Sequence, residues 1–114
     1  MIIAFVSYPV TNLDRAVEFY QKVLGIKPLF HREDWAEFEL DGQRFALKKV
    51  NTVSLEGTGA TVYFMAKPLE LYLDRLEALG VQFLEPVETQ PFGKLVRFRD
   101  PDGNILGLYE PPPN

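Results

Sequence analysis

Side chains that ordinarily carry out catalysis are scarce in this sequence. Its 114 residues include one histidine, His31, and no cysteine. The absence of cysteine excludes disulfides, thiolate metal ligands and a cysteine nucleophile. The sequence shows no Ser-His-Asp order, no phosphate-binding loop and no independently supported pair of carboxylates. Nucleophilic and phosphoryl-transfer chemistry therefore have no support in the residues.

The remaining candidates are single polar residues in predicted strands. His31 is either a solvated loop residue or an acid, base or ligand at the edge of a cleft. Lys48 is either a solvated lysine or a desolvated base or anion contact. Four more charged residues alternate with apolar ones: Glu37, Glu39, Arg97 and Arg99. These four predict either cross-strand ion pairs on a wet face or an arginine that holds a carboxylate.

Composition and charge narrow the class of protein. The hydrophobic content of 46% and charged content of 25% are those of a globular chain, and the net charge is −4. An acidic protein without a basic run is expected to bind neither nucleic acid nor an anionic membrane. The opening MIIAFVSYPV lacks a charged leader and is too short for a membrane span, so we interpret it as a strand. We expect a cytoplasmic protein.

The elements that must position these residues occur twice in the chain. Two segments, 12–28 and 68–83, each carry a helical pattern that stops at a glycine between apolar residues. The second of these glycines, Gly80, follows the first, Gly25, by 55 residues. Each helix has one apolar stretch before it and two after it. Each half is therefore predicted to be a βαβββ module, too small to bury its sheet alone.

The predicted fold class is α+β, with two tandem βαβββ modules forming a curved mixed sheet around a cleft. The whole chain, 1–114, is expected to be one domain, with module one at about 1–50, a connection at 51–59 and module two at about 60–110. Asn12 predicts a helix N-cap and Asp41-Gly42 a tight hairpin turn. Residues 81–87 and 95–99 are predicted strands of the second module, and Pro68 is predicted to be the first helical residue.

The segment NLDRAVEFYQKVLG after a first strand, and RFRDPDGNILGLYEP near the end, resemble the vicinal oxygen chelate superfamily. This superfamily contains glyoxalase I, fosfomycin and bleomycin resistance proteins and extradiol dioxygenases. The resemblance covers essentially the whole chain. It implies that the two modules enclose an open cleft, within one chain or across a dimer, and that a divalent metal is commonly held there. We expect a homodimer, because open sheets often bury an edge against a second copy.

The metal ligands of the family come from the first and last strands of each module, and matching by motif assigns them to four positions. These are Phe5, Ala46, Ala60 and Gly107. None of them carries an oxygen or nitrogen side-chain ligand, and divalent ions need several. We therefore predict no metal and no cofactor.

Strand alternation predicts which other side chains face the cleft. The predicted ligand-binding residues are Phe5, Ser7, Trp35, Ala46, Lys48, Ala60, Val62, Phe64, Gly107 and Tyr109. Their mixture of aromatic, small and few polar side chains suits a mostly apolar or aromatic small molecule. The alternate residues of these strands, which include Phe45 and Tyr63, are predicted to pack against the helices. The resemblance, together with the absence of metal ligands, predicts a metal-independent small-molecule binding protein. One alternative is a glyoxalase-like or dioxygenase-like enzyme. The other is a purely structural role in which the aromatic side chains fill the cleft.

Overall fold

The chain forms two compact units with the same order of elements. The structure, a computed structural model, describes residues 3–53 and 61–113. The first unit contains β1 (Phe5–Val10), α1 (Leu13–Leu24), β2 (Phe30–His31), β3 (Trp35–Leu40) and β4 (Gln43–Lys49). The second unit contains β5 (Val62–Met65), α2 (Leu69–Ala78), β6 (Glu88–Gln90), β7 (Gly93–Arg99) and β8 (Ile105–Glu110).

This order confirms the predicted α+β class with two tandem βαβββ modules. The single domain and the cleft between the modules stay predictions, and most of the predicted connection lies outside the described residues.

Each unit has a four-stranded mixed sheet with the same topology. The strand order is β1-β4-β3-β2 in the first unit and β5-β8-β7-β6 in the second. The strand before the helix runs parallel to the last strand, and the other pairs are antiparallel. The β3–β4 hairpin turns at Asp41 and Gly42, with φ of 49° and 88°. Positive φ at both residues is what a tight two-residue turn requires, so the predicted hairpin is confirmed.

The helix α1 begins and ends where the sequence predicts. The Oδ1 atom of Asn12 accepts a hydrogen bond of 3.0 Å from the backbone N–H of Arg15, which satisfies one free donor of the first turn. Gly25 ends the helix with φ of 71°, a left-handed conformation that glycine adopts at little cost. Between these ends α1 buries one stripe against its sheet: Leu13, Ala16, Val17 and Tyr20.

The core of the first unit lies between α1 and one face of its sheet. The rings of Tyr20 and Phe45 are 5.3 Å apart, and Phe45 is 2% exposed. Leu47 and Phe38 on the same face are fully buried. Because side chains alternate along a strand, the other face does not contact α1. We call it the helix-free face of the first unit.

The second unit repeats this arrangement with a shorter helix. Its buried residues on the sheet are Val96, Phe98, Leu106 and Leu108, and those on α2 are Leu69 and Leu76. The backbone N–H of Leu69 donates to Oε1 of Glu110 at 2.9 Å, which connects α2 to β8. Pro68, predicted to be the first residue of this helix, is instead its N-cap, with an extended ψ of 140°, and the helix begins at Leu69.

The second strand of the second unit lies later in the chain than predicted. No strand forms at 81–87, where only Phe83 makes an isolated bridge, to Phe98, and the strand is at Glu88–Gln90. Pro86 lacks the backbone N–H that a ladder needs, which explains why no continuous strand forms across it.

Within 3–53 and 61–113, neither helix is long and apolar enough to cross a membrane.

Candidate functional site

Five predicted binding residues share the helix-free face of the first unit. Ser7 lies opposite Ala46, and Trp35 lies opposite Lys48 in the strand register. Phe5 and Ser7 are two residues apart on β1 and point to the same side. The prediction that these residues lie on the face away from the helix is therefore confirmed for Phe5, Ser7, Trp35, Ala46 and Lys48. Whether they bind a ligand stays a prediction.

A hydrogen-bonded carboxylate fixes the orientation of Trp35 on this face. The indole Nε1–H donates to Oε2 of Glu37 at 2.8 Å, and a terminal nitrogen of Arg44 donates to Oε1 of Glu37 at 2.9 Å. The Trp35 and Phe5 rings meet edge to face, 5.5 Å apart at 89°. One oxygen of Glu37 thus holds the indole and the other is held by Arg44, while Phe5 keeps 49% of its surface exposed. The pair is a preorganised aromatic surface that remains accessible.

The same contacts favour the ionised form of Glu37. The hydrogen bond from Trp35 lowers the pKa of Glu37 most, and Arg44 lowers it further, although partial burial opposes them. Glu37 is therefore a carboxylate at neutral pH. Its charge is matched by the ion pair with Arg44. This is the cross-strand ion pair that the alternating charges predict.

An open pocket adjoins the indole where β3 begins and β4 ends. Its volume is about 410 Å³. The residues that line it are Asp34, Trp35, Lys48, Lys49, Val50 and Asn51. The backbone N–H of Lys49 donates to the carbonyl of Asp34 at 2.9 Å, which fixes the rim of the pocket. The pocket is thus bordered by one half-buried indole and two lysines, of which Lys48 shares the face of Trp35.

His31 points to the other side of the sheet. It lies opposite Ala36, which faces the core, and its Nε2 is 3.0 Å from Oδ1 of Asp14 in α1. This contact is at the surface, because the Asp14 side chain is 91% exposed. The structure does not bring His31 together with the residues of the helix-free face.

In the second unit the structure corrects two predicted residues. Tyr63 lies opposite Gly107, whereas Val62 and Phe64 lie opposite Leu106 and Leu108, which are buried. Val62 and Phe64 therefore share the helix-covered face, and the prediction that they lie on the same face as Gly107 and Tyr109 is wrong. Tyr63, predicted to face α2, lies on the opposite side with Gly107. We call this side the helix-free face of the second unit.

The error has a simple cause in the repeat. The helix N-caps Asn12 and Pro68 are 56 residues apart, but Gly25 and Gly80 are 55 apart, because the second helix region is one residue shorter. Matching the repeat at the glycines shifted the preceding strand by one residue, and a shift of one reverses the faces. The position equivalent to Phe5 is thus Thr61. Ala60, assigned to it by the sequence, lies outside the described residues.

Tyr63 also covers the backbone of Gly107. A methyl group added at Gly107 would collide with the Cδ1 and Cε1 atoms of the Tyr63 ring. The ring, 39% exposed, thus occupies the space that a side chain at residue 107 would need. In the first unit the corresponding pair is Ser7 and Ala46, where the small serine leaves room for a methyl group.

The other predicted residue of this face, Tyr109, lies where expected, opposite Leu95. Its hydroxyl donates to the carbonyl of Phe92 at 2.6 Å. Arg97 lies opposite Gly107, and its Nε donates to Oε1 of Glu85 at 2.7 Å. This hydrogen bond is the main reason that the pKa of Arg97 is raised. Arg97 is thus ion-paired, and Tyr109 uses its hydroxyl within the unit.

Sequence reasoning missed three contributors to these faces. Glu37 was assigned to a wet ion pair, without its contact to Trp35. Lys49 and Asn51 also border the pocket, which alternation does not predict: Lys49, the last residue of β4, alternates to the other face from Lys48, and Asn51 lies beyond the strand. An available signal was the short spacing of Trp35 and Glu37, since residues two apart on a strand share a face.

Comparison with known proteins identifies the family. The model of the Glyoxalase/Bleomycin resistance protein/Dioxygenase superfamily matches residues 2–108. The chain belongs to this superfamily. The resemblance in the helix-one and DPDGN motifs is thereby confirmed.

Relatives within the superfamily include proteins named for metal-dependent reactions. The chain is 30% identical over 112 residues to the metallothiol transferase FosB of Shouchella clausii, covering 90% of this chain and 75% of that protein. It is 28% identical over 113 residues to a manganese-dependent 2,3-dihydroxybiphenyl 1,2-dioxygenase of Geobacillus genomosp. 3, covering 86% of this chain but 33% of that enzyme.

A solved structure shows the same fold. The fosfomycin resistance protein FosX of Listeria monocytogenes, in complex with Mn(II) and sulfate, superposes with a TM-score of 0.82. The identity is 19%, over 98% of this chain and 93% of that one. At this identity the comparison supports the fold alone.

The described residues at the positions matched to the family's ligands do not fit a metal of the kind that the superfamily implies. Phe5 and Ala46 have hydrocarbon side chains, Gly107 has none, and Thr61 offers a single hydroxyl. Tyr63 further covers Gly107. In the part of the chain that the structure describes, no group of three or more His, Cys, Asp or Glu residues is arranged to hold a metal ion. A divalent ion would lack the charged or imidazole ligands that offset its dehydration.

Proposed function

We propose that this protein binds a small, mostly apolar or aromatic molecule on the helix-free faces of its sheets, without a metal ion. The observation that carries this proposal is the Phe5–Trp35 pair on the first unit. Its rings meet edge to face and are held by Glu37, yet Phe5 remains about half exposed. A rigid, exposed aromatic surface binds apolar molecules at a low cost in conformational entropy.

The neighbouring residues are consistent with a binding surface. Ser7 is small and exposed beside the aromatic pair, and Ala46, next to it in the register, is buried beneath this face. Lys48 stands at the rim next to Trp35. On the second unit, Tyr109 remains a proposed binding residue and Gly107 remains one only as the floor beneath the Tyr63 ring, while Tyr63 and Thr61 replace Phe64 and Val62.

The experiment uses the single tryptophan of the chain, Trp35, as its reporter. The neutral aromatic alcohol 1-naphthalenemethanol is titrated into the protein, and energy transfer from Trp35 is recorded with and without EDTA. We expect saturable quenching that is unchanged by EDTA. Phe5→Ala should weaken binding by about threefold to tenfold, since an aromatic pair contributes about 0.5–1.5 kcal/mol.

Leu29→Ala is the matched control, because Leu29 is 48% exposed in the same unit, close to the 49% of Phe5. It should leave the affinity unchanged. Quenching that does not saturate, or equal effects of both substitutions, would contradict binding at the Phe5–Trp35 pair. Near-ultraviolet circular dichroism of each variant establishes that the fold is retained.

An enzyme is the second candidate, favoured by the names of the relatives, a transferase and a dioxygenase. The dioxygenase reading is tested by oxygen consumption with 2,3-dihydroxybiphenyl and Mn(II). Turnover that requires the metal would replace the binding proposal with a metalloenzyme. We expect none, because the positions that resemble the family's metal ligands carry Phe5, Ala46 and Gly107.

A further inference from the structure

The pocket beside Trp35 has a charge pattern that the apolar face alone does not explain. Lys48 and Lys49 both line it, together with the amide of Asn51. Within residues 3–53 and 61–113, neither lysine has an ion-pair partner, whereas Lys22 and Arg44 of the same unit each pair with a glutamate. Two lysines therefore border one pocket in a protein whose net charge is −4. Lys48 shares the face of Trp35, whereas Lys49, the next residue of β4, also borders the other face of the sheet.

The location of these charges next to an indole is specific. Trp35 and Lys48 are cross-strand partners on one face of the sheet, and the exposed Lys48 borders the same pocket as the indole. Asp34 is the one acidic residue of the lining, which leaves a formal excess of one positive charge. An aromatic ring against the indole would place an attached oxyanion beside Lys48, with Lys49 and Asn51 on the border of the same pocket.

We propose that this pocket selects aromatic ligands that carry an oxyanion, such as a carboxylate or a phosphate. The inference rests on the proposed function, because the indole is to bind the aromatic part. It adds the chemical class of the polar group and the residues that recognise it, Lys48 first and Lys49 and Asn51 with it. A pocket of about 410 Å³ accommodates one or two fused rings with such a group.

The test compares three ligands that share one ring system: 1-naphthalenemethanol, 1-naphthoate and 1-naphthyl phosphate. Each is titrated against the fluorescence of Trp35 at low and at high salt. We expect the two anions to bind about threefold to tenfold more tightly than the alcohol at low salt, since partly exposed charge contacts are modest. Salt should reduce this preference and leave the alcohol unaffected.

Lys48→Met removes the charge and retains an unbranched stem, so it should abolish most of the preference for the anions. Lys22→Met is the matched control, because Lys22 lies on α1 and pairs with Glu18. It should change no affinity. The relative affinities of naphthoate and naphthyl phosphate distinguish a carboxylate site from a phosphate site.

The outcomes separate this inference from the function on which it rests. If all three ligands bind equally and Lys48→Met has no effect, the oxyanion preference is refuted while apolar binding stands. If only the anions bind and Lys48→Met abolishes their binding, the oxyanion site stands and the apolar function is refuted. If none of the three binds saturably, both are refuted.

Discussion

Replacing Gly107 by alanine should destabilise the protein through a single contact. The added methyl group would overlap the Cδ1 and Cε1 atoms of Tyr63 and lie 3.0 Å from its Cγ. The ring must therefore leave its place on the helix-free face of the second unit. Overpacking of this kind costs about 1–3 kcal/mol of the free energy of unfolding.

The first unit indicates the compensating change. There Ala46 lies opposite Ser7, so the double variant Tyr63→Ser, Gly107→Ala reproduces a pair that the chain already contains. With the ring gone, alanine should stabilise the strand by about 0.5–1 kcal/mol relative to glycine, because it restricts the unfolded chain more. Gly107→Ala should thus lower the free energy of unfolding when residue 63 is tyrosine and raise it when residue 63 is serine.

The assay is urea denaturation of the wild type, both single variants and the double variant, followed by circular dichroism. We expect a coupling energy of about 2 kcal/mol or more between residues 63 and 107. Ala46→Gly in the first unit is the control and should destabilise by about 1–2 kcal/mol, the ordinary cost of glycine in a strand plus the loss of a buried methyl group. Additive effects of Tyr63→Ser and Gly107→Ala would refute the contact.

Three more predictions concern charge, metal and assembly. The lowered pKa of Glu37 means that its stabilisation is present above its ordinary pKa near 4.5 and is lost as the pH falls through the lowered value. Glu37→Gln should therefore be less stable than the wild type at neutral pH, and the difference should vanish in acid; a constant difference in urea titrations across this range would contradict it. Protein purified without a metal-affinity tag should contain far less than one equivalent of Zn, Ni, Mn or Fe by elemental analysis, and near-stoichiometric metal that raises the melting temperature would overturn the metal-free proposal. Light scattering at micromolar concentration should give the mass of a homodimer, and a mass of 13.0 kDa would exclude it.

The sequence by itself determined the order of the elements and the faces of the first unit. Helix ends depend on local chemistry, and both Asn12 and Gly25 act through their immediate neighbours in the chain. Alternation likewise needs only a strand and one buried face, which is why Ala46 and Lys48 were assigned to the correct side. The motifs that identified the superfamily are also continuous segments.

The tertiary structure decided what depends on residues distant in sequence. The faces of β5 follow from its pairing with β8, more than 40 residues later, and one residue fewer in the second helix region reversed the expectation for Val62 and Phe64. The ring of Tyr63 over Gly107 and the support of Trp35 by Glu37 and Arg44 arise only when the strands pair. Register between strands is set by packing across the whole sheet, so a repeat matched at its glycines could not supply it.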